Sequence, residues 1–235
     1  MVRHSAAALT LCLFSLAAWT HALGPIPLSA VPEVVMSSDT PSRPSWETAA
    51  FFGPFLRLDG LSLPDAATSA RVCRTAEALR LKVDCAEPRM DRVKSAVRAR
   101  DADVWKDDCV EVFVQRPGQE YLHFVVNPAG AQFDERGRDA SWDAKWRAEA
   151  ERGEDRWSVQ LEFSWAVFGG PPRDGETWGL NIARSRTPEH ELSTWSPTGS
   201  GFHVPERFGK IVFSRAPYPT NVRWQLIGRR NGRVD

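Results

Sequence analysis

The chain has 235 residues, and its 30 Lys and Arg balance its 30 Asp and Glu, so the formal net charge is zero. A balanced charge gives no indication of nucleic acid or an anionic membrane as a partner, and a hydrophobic fraction of 42% is typical of a soluble globular chain. Ten tryptophans are unusually many, and they favour stacking on sugars as well as packing in a core.

The first residues have the pattern of a secretory signal peptide, with Arg3 ahead of an apolar run from Ala6 to Trp19. The small-x-small pattern that follows ends at Ala22, where we expect cleavage. The apolar run is too short to cross a bilayer comfortably, and no later stretch qualifies as a span. The sequence therefore predicts a signal peptide over residues 1–22 and a secreted or periplasmic protein.

The composition divides the remaining chain into three segments. Residues 23–45 contain five prolines among small and polar residues, which predicts an extended, partly disordered lead-in. Residues 46–214 carry the apolar patterns of a folded domain. Residues 215–235 are basic and are expected to form a solvated C-terminal tail.

Alternating apolar residues predict many short strands, and no long helical period appears. The predicted strands cover residues 70–75, 78–85, 110–114, 121–126, 145–150, 157–164, 178–184 and 209–214. Polar loops are expected at residues 86–104 and 134–143. This pattern predicts one all-β domain, an antiparallel β-sandwich of jelly-roll or immunoglobulin type, with Trp157, Trp165 and Trp178 in its core.

Three cysteines follow the predicted signal peptide, at Cys73, Cys85 and Cys109. An oxidising compartment allows one disulfide among them and leaves one thiol over, and Cys85–Cys109 is the candidate pair. No CxxC or His–Cys spacing predicts a zinc site.

No catalytic motif of a hydrolase, a metalloprotease, a nucleotide-binding protein or a dinucleotide-binding protein is present. Carboxylate pairs for glycoside hydrolysis are not evident either, because the acids are scattered among arginines. We therefore expect the protein to be a non-catalytic binding module and not an enzyme. Asp101, Asp103, Asp107 and Asp108 leave a calcium site open, although oxygen-ligand loops need acids at wider spacing than Asp107 and Asp108.

Several motifs follow one another in a specific order: W-x-x-D-x-V-E-V-F from residue 105, N-x-x-G from 127, G-x-x-W-G-x-N-x-x-R from 175, and P-x-x-F-G-x-I-x-F from 205. This order resembles the family 9 carbohydrate-binding module over about residues 34–214, nearly the whole chain after the predicted signal. The resemblance implies a DOMON-like β-sandwich that binds oligo- or polysaccharides, alongside separate glycoside hydrolases in polysaccharide breakdown.

The resemblance also implies a site in which two aromatic rings clamp one sugar, and Trp105 and Phe202 match these two positions. Glu111 matches the family's strand glutamate and Asn127 its asparagine, both expected at the hydroxyl rim of the sugar. Aromatic planes cover the apolar C–H faces of a pyranose, and polar side chains bond its hydroxyls. The family's arginine two residues before the asparagine is Val125 here, which removes a charge-assisted donor.

Arg184, Trp195 and His203 lie near these motifs and are further candidate ligand-binding residues. Ordinary structural roles compete with each assignment. The aromatic residues could pack in the core or at an edge, Glu111 could pair with an arginine, and Asn127 could serve as a turn residue.

Two other functions stay open on the sequence. One is a b-type haem electron-transfer sandwich, for which Met90 and His123 are the candidate ligand pair. The other is a sandwich that has lost sugar binding and serves as a protein-interaction module, which Val125 favours.

Overall fold

The computed structural model describes residues 31–37 and 46–214, so the expected signal peptide and C-terminal tail lie outside the described residues. Short strands make up most of the regular structure: β1 (Glu33–Ser37), β2 (Ala50–Phe52), β3 (Leu56–Arg57), β4 (Thr68–Arg74), β5 (Ala78–Ala86), β6 (Cys109–Gln115), β7 (Leu122–Val126), β8 (Gln132–Arg136), β9 (Arg147–Arg152), β10 (Arg156–Ser164), β11 (Thr177–Arg186), β12 (Glu191–Thr194) and β13 (Gly209–Ser214). Single 3-10 turns lie at Val104–Lys106, Trp165–Phe168, Thr187–Glu189 and Pro205–Arg207. Among the described residues, none of these helical turns is long and apolar enough to cross a membrane.

The strands form two sheets that pack face to face. The large sheet has eight strands in the order β1-β13-β11-β6-β7-β8, with β12 beside β11 and β3 beside β12. The small sheet has five strands in the order β2-β4-β5-β10-β9. The pairings are antiparallel except for β1 with β13. This architecture confirms the predicted all-β antiparallel sandwich, including the pairs β4–β5 and β9–β10.

The core between the sheets is built from the alternating residues that predicted the strands. In β10, Trp157, Val159, Leu161 and Phe163 are buried and alternate with half-buried or exposed residues. Because successive side chains of a strand point to opposite faces, this period places all four against the large sheet. Full burial of such side chains stabilises the fold by about 1.5–3 kcal/mol each. Trp165 and Trp178 are also buried in this core, as predicted.

Five strands, β1, β2, β3, β8 and β12, lie where the sequence predicted none, and two of them show why. β1 falls inside the expected lead-in, and it buries Val34 and Met36 against the core while pairing with β13. β8 overlaps the start of the expected polar loop. Its Asp134 faces inward but accepts hydrogen bonds from the Trp146 indole and the Ala144 amide, both at 2.8 Å. Partners of this kind let a charged strand be buried.

Cys73, Cys85 and Cys109 are buried free thiols, so the Cys85–Cys109 disulfide that the sequence allowed is wrong. Cys85 faces the core between the sheets, whereas Cys109 packs with Val104 and Val125 on the other face of the large sheet. A disulfide needs Cβ atoms that face each other, and here a layer of the sheet separates them. Burial raises the pKa of Cys85 to about 12 and that of Cys73 to about 11, so both thiols stay protonated and inert.

Candidate functional site

The large sheet is buried on both faces around β6, and its outer face carries the polar side chains of interest. The three valines of β6 point into the core, so Glu111 and Phe113 point outward. In the antiparallel register Phe113 lies beside His123 of β7, and His123 lies beside Glu135 of β8. Residues from three neighbouring strands therefore meet on this outer face.

An outer-face cluster forms there from Glu111, Tyr121, His123, Glu135 and His203. His123 bridges two carboxylates, with Nε2 at 2.8 Å from Glu111 Oε2 and Nδ1 at 3.0 Å from Glu135 Oε1. His203 comes from the segment before the turn at residues 205–207, and its Nδ1 lies 3.0 Å from the Tyr121 hydroxyl. The exposed fraction of the side chain is 7% for Glu111 and 4% for His123, but 20% for His203. The cluster is thus nearly buried, and His203 is its most accessible imidazole.

The two histidines of the cluster differ in charge. Burial lowers the pKa of His123, but its hydrogen bonds with Glu111 and Glu135 outweigh burial and hold the pKa above its ordinary value. Burial and the nearby charge of His123 lower the pKa of His203 to about 4. Two carboxylates therefore face one imidazolium and one neutral imidazole.

Aromatic rings extend the cluster on both sides. Phe113 stacks flat on His123, with ring centroids 4.2 Å apart, and contacts Phe202 at 6.5 Å. On the other side, Phe133 meets His123 edge-on at 6.3 Å and Trp105 at 4.7 Å. A continuous row of ring contacts thus runs from Trp105 to Phe202, with the polar cluster at its middle.

Trp105 stands at one end of this row as an open aromatic surface. It lies in the turn Val104–Lys106, whose Val104 is buried and anchors the turn. Trp105 is 42% exposed, and it is the only exposed tryptophan in the described part of the chain. Contact with Phe133 in a T-shaped arrangement fixes its position.

Phe202, the other predicted wall of the clamp, is 6% exposed and packs with Phe113, Ala183 and Phe208. It lies on the same face as Trp105 but does not present a free ring. The structure therefore brings both predicted aromatic residues to one face, with an open surface at the Trp105 end alone.

Asn127 is fully buried and holds a turn together. Its amide donates to the Val97 carbonyl at 2.9 Å and to Asp107 Oδ2 at 3.0 Å. Its Oδ1 accepts from the backbone amides of Ala129 and Ala131. An asparagine side chain has two donors and two lone pairs, so all of them are used inside the protein. Asn127 therefore has a structural role in this turn, and its expected contact with a sugar stays a prediction.

Arg184 and Trp195 lie in the interior and do not reach the outer face, so their expected contact with a sugar stays a prediction that this geometry does not favour. Arg184 points into the sandwich and donates to Glu87 Oε2 at 3.0 Å. Trp195 is fully buried, with its ring 4.5 Å from that of Phe52. Gly209 packs so closely on Trp195 that a Cβ at this glycine would overlap the indole.

The aspartates that the sequence offered as a possible calcium site pair with different residues. Asp103 pairs with Lys106, and Asp107 Oδ2 accepts from Asn127. Asp108 Oδ2 accepts from the Lys94 amide at 2.9 Å. A calcium ion needs six to eight oxygens directed at one centre, and these carboxylates supply no such set.

The candidate haem ligands lie on opposite faces of the large sheet. Both ring nitrogens of His123 are engaged with carboxylates on the outer face. Met90 packs against the core between the sheets. The structure thus gives no support to a haem held by this pair.

Tyr121, His123 and Glu135 were not among the predicted sugar-binding residues. The strand alternation already placed Tyr121 and His123 on one face, and pairing β7 with β6 would have put that face beside Glu111. No signal pointed to Glu135, because its segment has the composition of a loop.

Comparison with solved structures finds the same fold in carbohydrate-binding modules. A putative carbohydrate-binding protein from Bacteroides uniformis ATCC 8492 has a TM-score of 0.62 at 20% identity, covering 79% of this chain and 100% of that one. A family 9 carbohydrate-binding module from Caldicellulosiruptor kristjanssonii, in complex with glucose, has a TM-score of 0.59 at 13% identity, covering 79% and 98%. In its complex with cellotriose the TM-score is 0.57 at 12% identity, covering 77% and 93%. No protein-family model and no curated protein matches the sequence. The chain therefore has the fold of family 9 carbohydrate-binding modules.

Proposed function

We propose that this protein is a secreted, non-catalytic saccharide-binding domain, and that the saccharide lies on the outer face of the large sheet against Trp105. The observation that carries this proposal is an exposed tryptophan beside a carboxylate–imidazole cluster. The fold adds support, since modules of the same fold are known in complex with glucose and with cellotriose.

The chemistry of the outer face suits a sugar. The indole of Trp105 covers an apolar C–H face of a pyranose, in a contact worth on the order of 1 kcal/mol beyond the buried area. Glu111 accepts hydrogen bonds from hydroxyls, and His203 can donate or accept. A hydrogen bond to a charged group contributes about 1.5–3 kcal/mol, so a single carboxylate contact suffices to orient the ring.

The departure from the family pattern changes how the site is built. Val125 lies in an apolar cluster with Val104 and Phe133, which are the residues that support Trp105. It therefore contributes packing beneath the aromatic surface in place of a charged donor. Since Phe202 is packed as well, we assign most of the binding energy to Trp105 and the polar cluster.

The cellular setting belongs to the same proposal. The signal-like pattern of residues 1–22 supports export, and the likeness in fold to carbohydrate-binding modules supports a role beside separate glycoside hydrolases.

Calorimetry and affinity electrophoresis with glucose, cello- and xylo-oligosaccharides and soluble β-glucans test the proposal. We expect binding by the wild-type protein, and Trp105→Ala should weaken it at least about tenfold, or 1.4 kcal/mol. Phe51→Ala is the matched control, because Phe51 is 41% exposed but lies on β2 of the small sheet.

Undiminished binding by Trp105→Ala would place the saccharide elsewhere on the molecule. A wide glycan screen without hits, together with a protein captured in pull-downs, would favour the protein-interaction module instead.

A further inference from the structure

Three metal-ligating side chains converge on the outer face of the large sheet: Glu111 of β6, His123 of β7 and His203. Each offers one donor atom, and these three atoms lie within 4.8 Å of one another. We propose that they bind a divalent transition-metal ion of the zinc class through two imidazole nitrogens and one carboxylate oxygen. The proposal stands on these three donors and does not depend on sugar binding.

The spacing of the donors is close to what an ion requires. Zinc binds nitrogen and oxygen at about 2.0–2.2 Å, so two ligand atoms of a tetrahedral site lie roughly 3.3 Å apart. His123 Nε2 and Glu111 Oε2 are 2.8 Å apart and need only to open slightly. His203 lies outside the strands and is partly exposed, so it can close the remaining distance and also mark the path of entry.

Each histidine is oriented by a second residue, as is typical of metal-binding imidazoles. His123 Nδ1 is held by Glu135 at 3.0 Å, which turns Nε2 towards Glu111. His203 Nδ1 lies 3.0 Å from the hydroxyl of Tyr121. The ring of His123 is thus fixed before any ion arrives, which lowers the entropic cost of binding, and only the ring of His203 has to move.

The charge of the cluster favours a cation. Glu111 and Glu135 are nearly buried, and within residues 31–37 and 46–214 neither forms an ion pair with a lysine or an arginine. His123 is shared between these two carboxylates, and the exposed Arg138 acts on Glu135 through its charge without forming an ion pair. A single shared partner compensates two buried charges only in part. A divalent ion between Glu111 and the two imidazoles supplies that charge.

The donor types decide which ions fit. Imidazole nitrogen suits zinc, copper and nickel, whereas calcium and magnesium prefer sites made of oxygen alone. Three protein ligands leave a fourth position for water, so the site is of the open kind.

Metal titration of the untagged protein tests the inference. The protein is stripped with EDTA, dialysed and titrated with zinc chloride in a calorimeter, with calcium chloride as the comparison salt. We expect one saturable zinc site per chain and no comparable calcium site. His203→Ala should weaken zinc binding at least about tenfold, and Glu135→Gln about 10–100-fold through the orientation of His123.

His190→Asn is the matched control, since His190 is exposed and has a positive φ of 51°, which asparagine tolerates. It should bind zinc like the wild type. In the cobalt-substituted wild type, intense visible d–d absorption should indicate a four-coordinate site, whatever the stability of the variants.

Absence of a saturable site for zinc and copper(II) in the wild type would overturn the inference, as would zinc binding that His203→Ala and Glu135→Gln leave unchanged. Trp105→Ala should retain full metal affinity. Saccharide titrations in EDTA then decide the proposed function separately, because loss of one kind of binding leaves the other measurable.

Discussion

Two clusters of buried charged side chains lie in this sandwich, and they differ in the cationic groups that pair with their carboxylates. The inner network joins Glu87 and Glu191 to Arg184 and Arg186, with side-chain hydrogen bonds of 2.8–3.0 Å. It has two buried guanidinium groups for two carboxylates, and the partly exposed Arg57 adds a third at 2.7 Å from Glu191. In the outer-face cluster the two carboxylates pair with imidazoles, and Arg138 acts on Glu135 through its charge without forming an ion pair.

The difference shows that buried charge is not by itself the sign of a binding site. Glu87 follows β5 of the small sheet, and Arg184 and Arg186 lie on β11 of the large sheet, so the inner network ties the two sheets together. Its charges are paired with one another, although Arg184 Nε has no hydrogen-bond partner in the described part of the chain. The outer-face cluster keeps surplus negative charge, a partly exposed imidazole and an exposed tryptophan nearby, which are features that a ligand can use.

The largest effect is expected from breaking the inner network. Glu87→Gln leaves Arg184 without a carboxylate partner in the interior, while Arg186 keeps Glu191, and breaking such a buried pair costs about 3–5 kcal/mol of the free energy of unfolding. Denaturant unfolding measures the change. Asp91→Asn is the control, since the Asp91–Arg89 pair is exposed and its loss should leave stability nearly unchanged. A loss no larger than that of the control would refute the structural role of the network.

The second largest effect is a pH dependence of stability caused by Asp108. This carboxylate lies near the inner network but forms no ion pair with an arginine there. Burial raises the pKa of Asp108 to about 6, and its Oδ1 has no hydrogen-bond partner in the described part of the chain. The folded state therefore loses stability as the pH rises from about 4 to about 6, on the order of 2 kcal/mol.

Asp108→Asn removes this ionisation, so the variant should gain stability relative to the wild type between pH 4 and pH 7. Melting temperatures of both proteins across this range measure the gain. A difference that stays constant with pH would mean that Asp108 is ionised at no cost.

The outer-face cluster should respond to pH in its own way. His123→Gln breaks the bridge between Glu111 and Glu135 and should cost about 1–3 kcal/mol at pH 6. Because the folded pKa of His123 is raised, its stabilisation is fully present at low pH and is lost as the pH rises through that folded pKa. The gap between wild type and variant should therefore narrow towards pH 9, as unfolding curves can show. A gap that widens would contradict a charged His123.

The smallest effect is expected at the aromatic surface. Trp105→Ala loses chiefly the contact with Phe133 and should cost about 1 kcal/mol of stability, whereas Trp195→Ala empties a fully buried site and should cost about 3–5 kcal/mol. Equal losses in thermal unfolding would mean that Trp105 is a structural residue and not an open platform.

The sequence predicted the sandwich because alternation survives wherever one face of a strand packs in the core. Trp157 to Phe163 and the valines of β6 are of this kind. It missed β8, since Asp134 and Glu135 look like loop residues until their partners Trp146 and His123 are known. Charge in a strand can be interpreted only with the neighbouring strand in place.

The candidate site was predicted in part. Trp105, Glu111 and His203 lie on the outer face as motif positions suggested, but Arg184 and Trp195 are interior. Motif spacing gives the position of a residue along the chain. It does not give the face of the sheet on which that residue lies. That face depends on the strand register and on glycines such as Gly209, whose missing side chain leaves room for the Trp195 indole.

The parallel pair of β1 and β13 has a mechanical consequence. Glu33 pairs with Lys210 and Ser37 with Ser214, so the chain enters β1 at one end of the pair and leaves β13 at the opposite end. A force that pulls these two points apart loads the inter-strand hydrogen bonds in shear, all at once, and cannot peel them open in succession. The edge strand pair of the large sheet is therefore aligned to resist a load applied through the two ends of the folded domain.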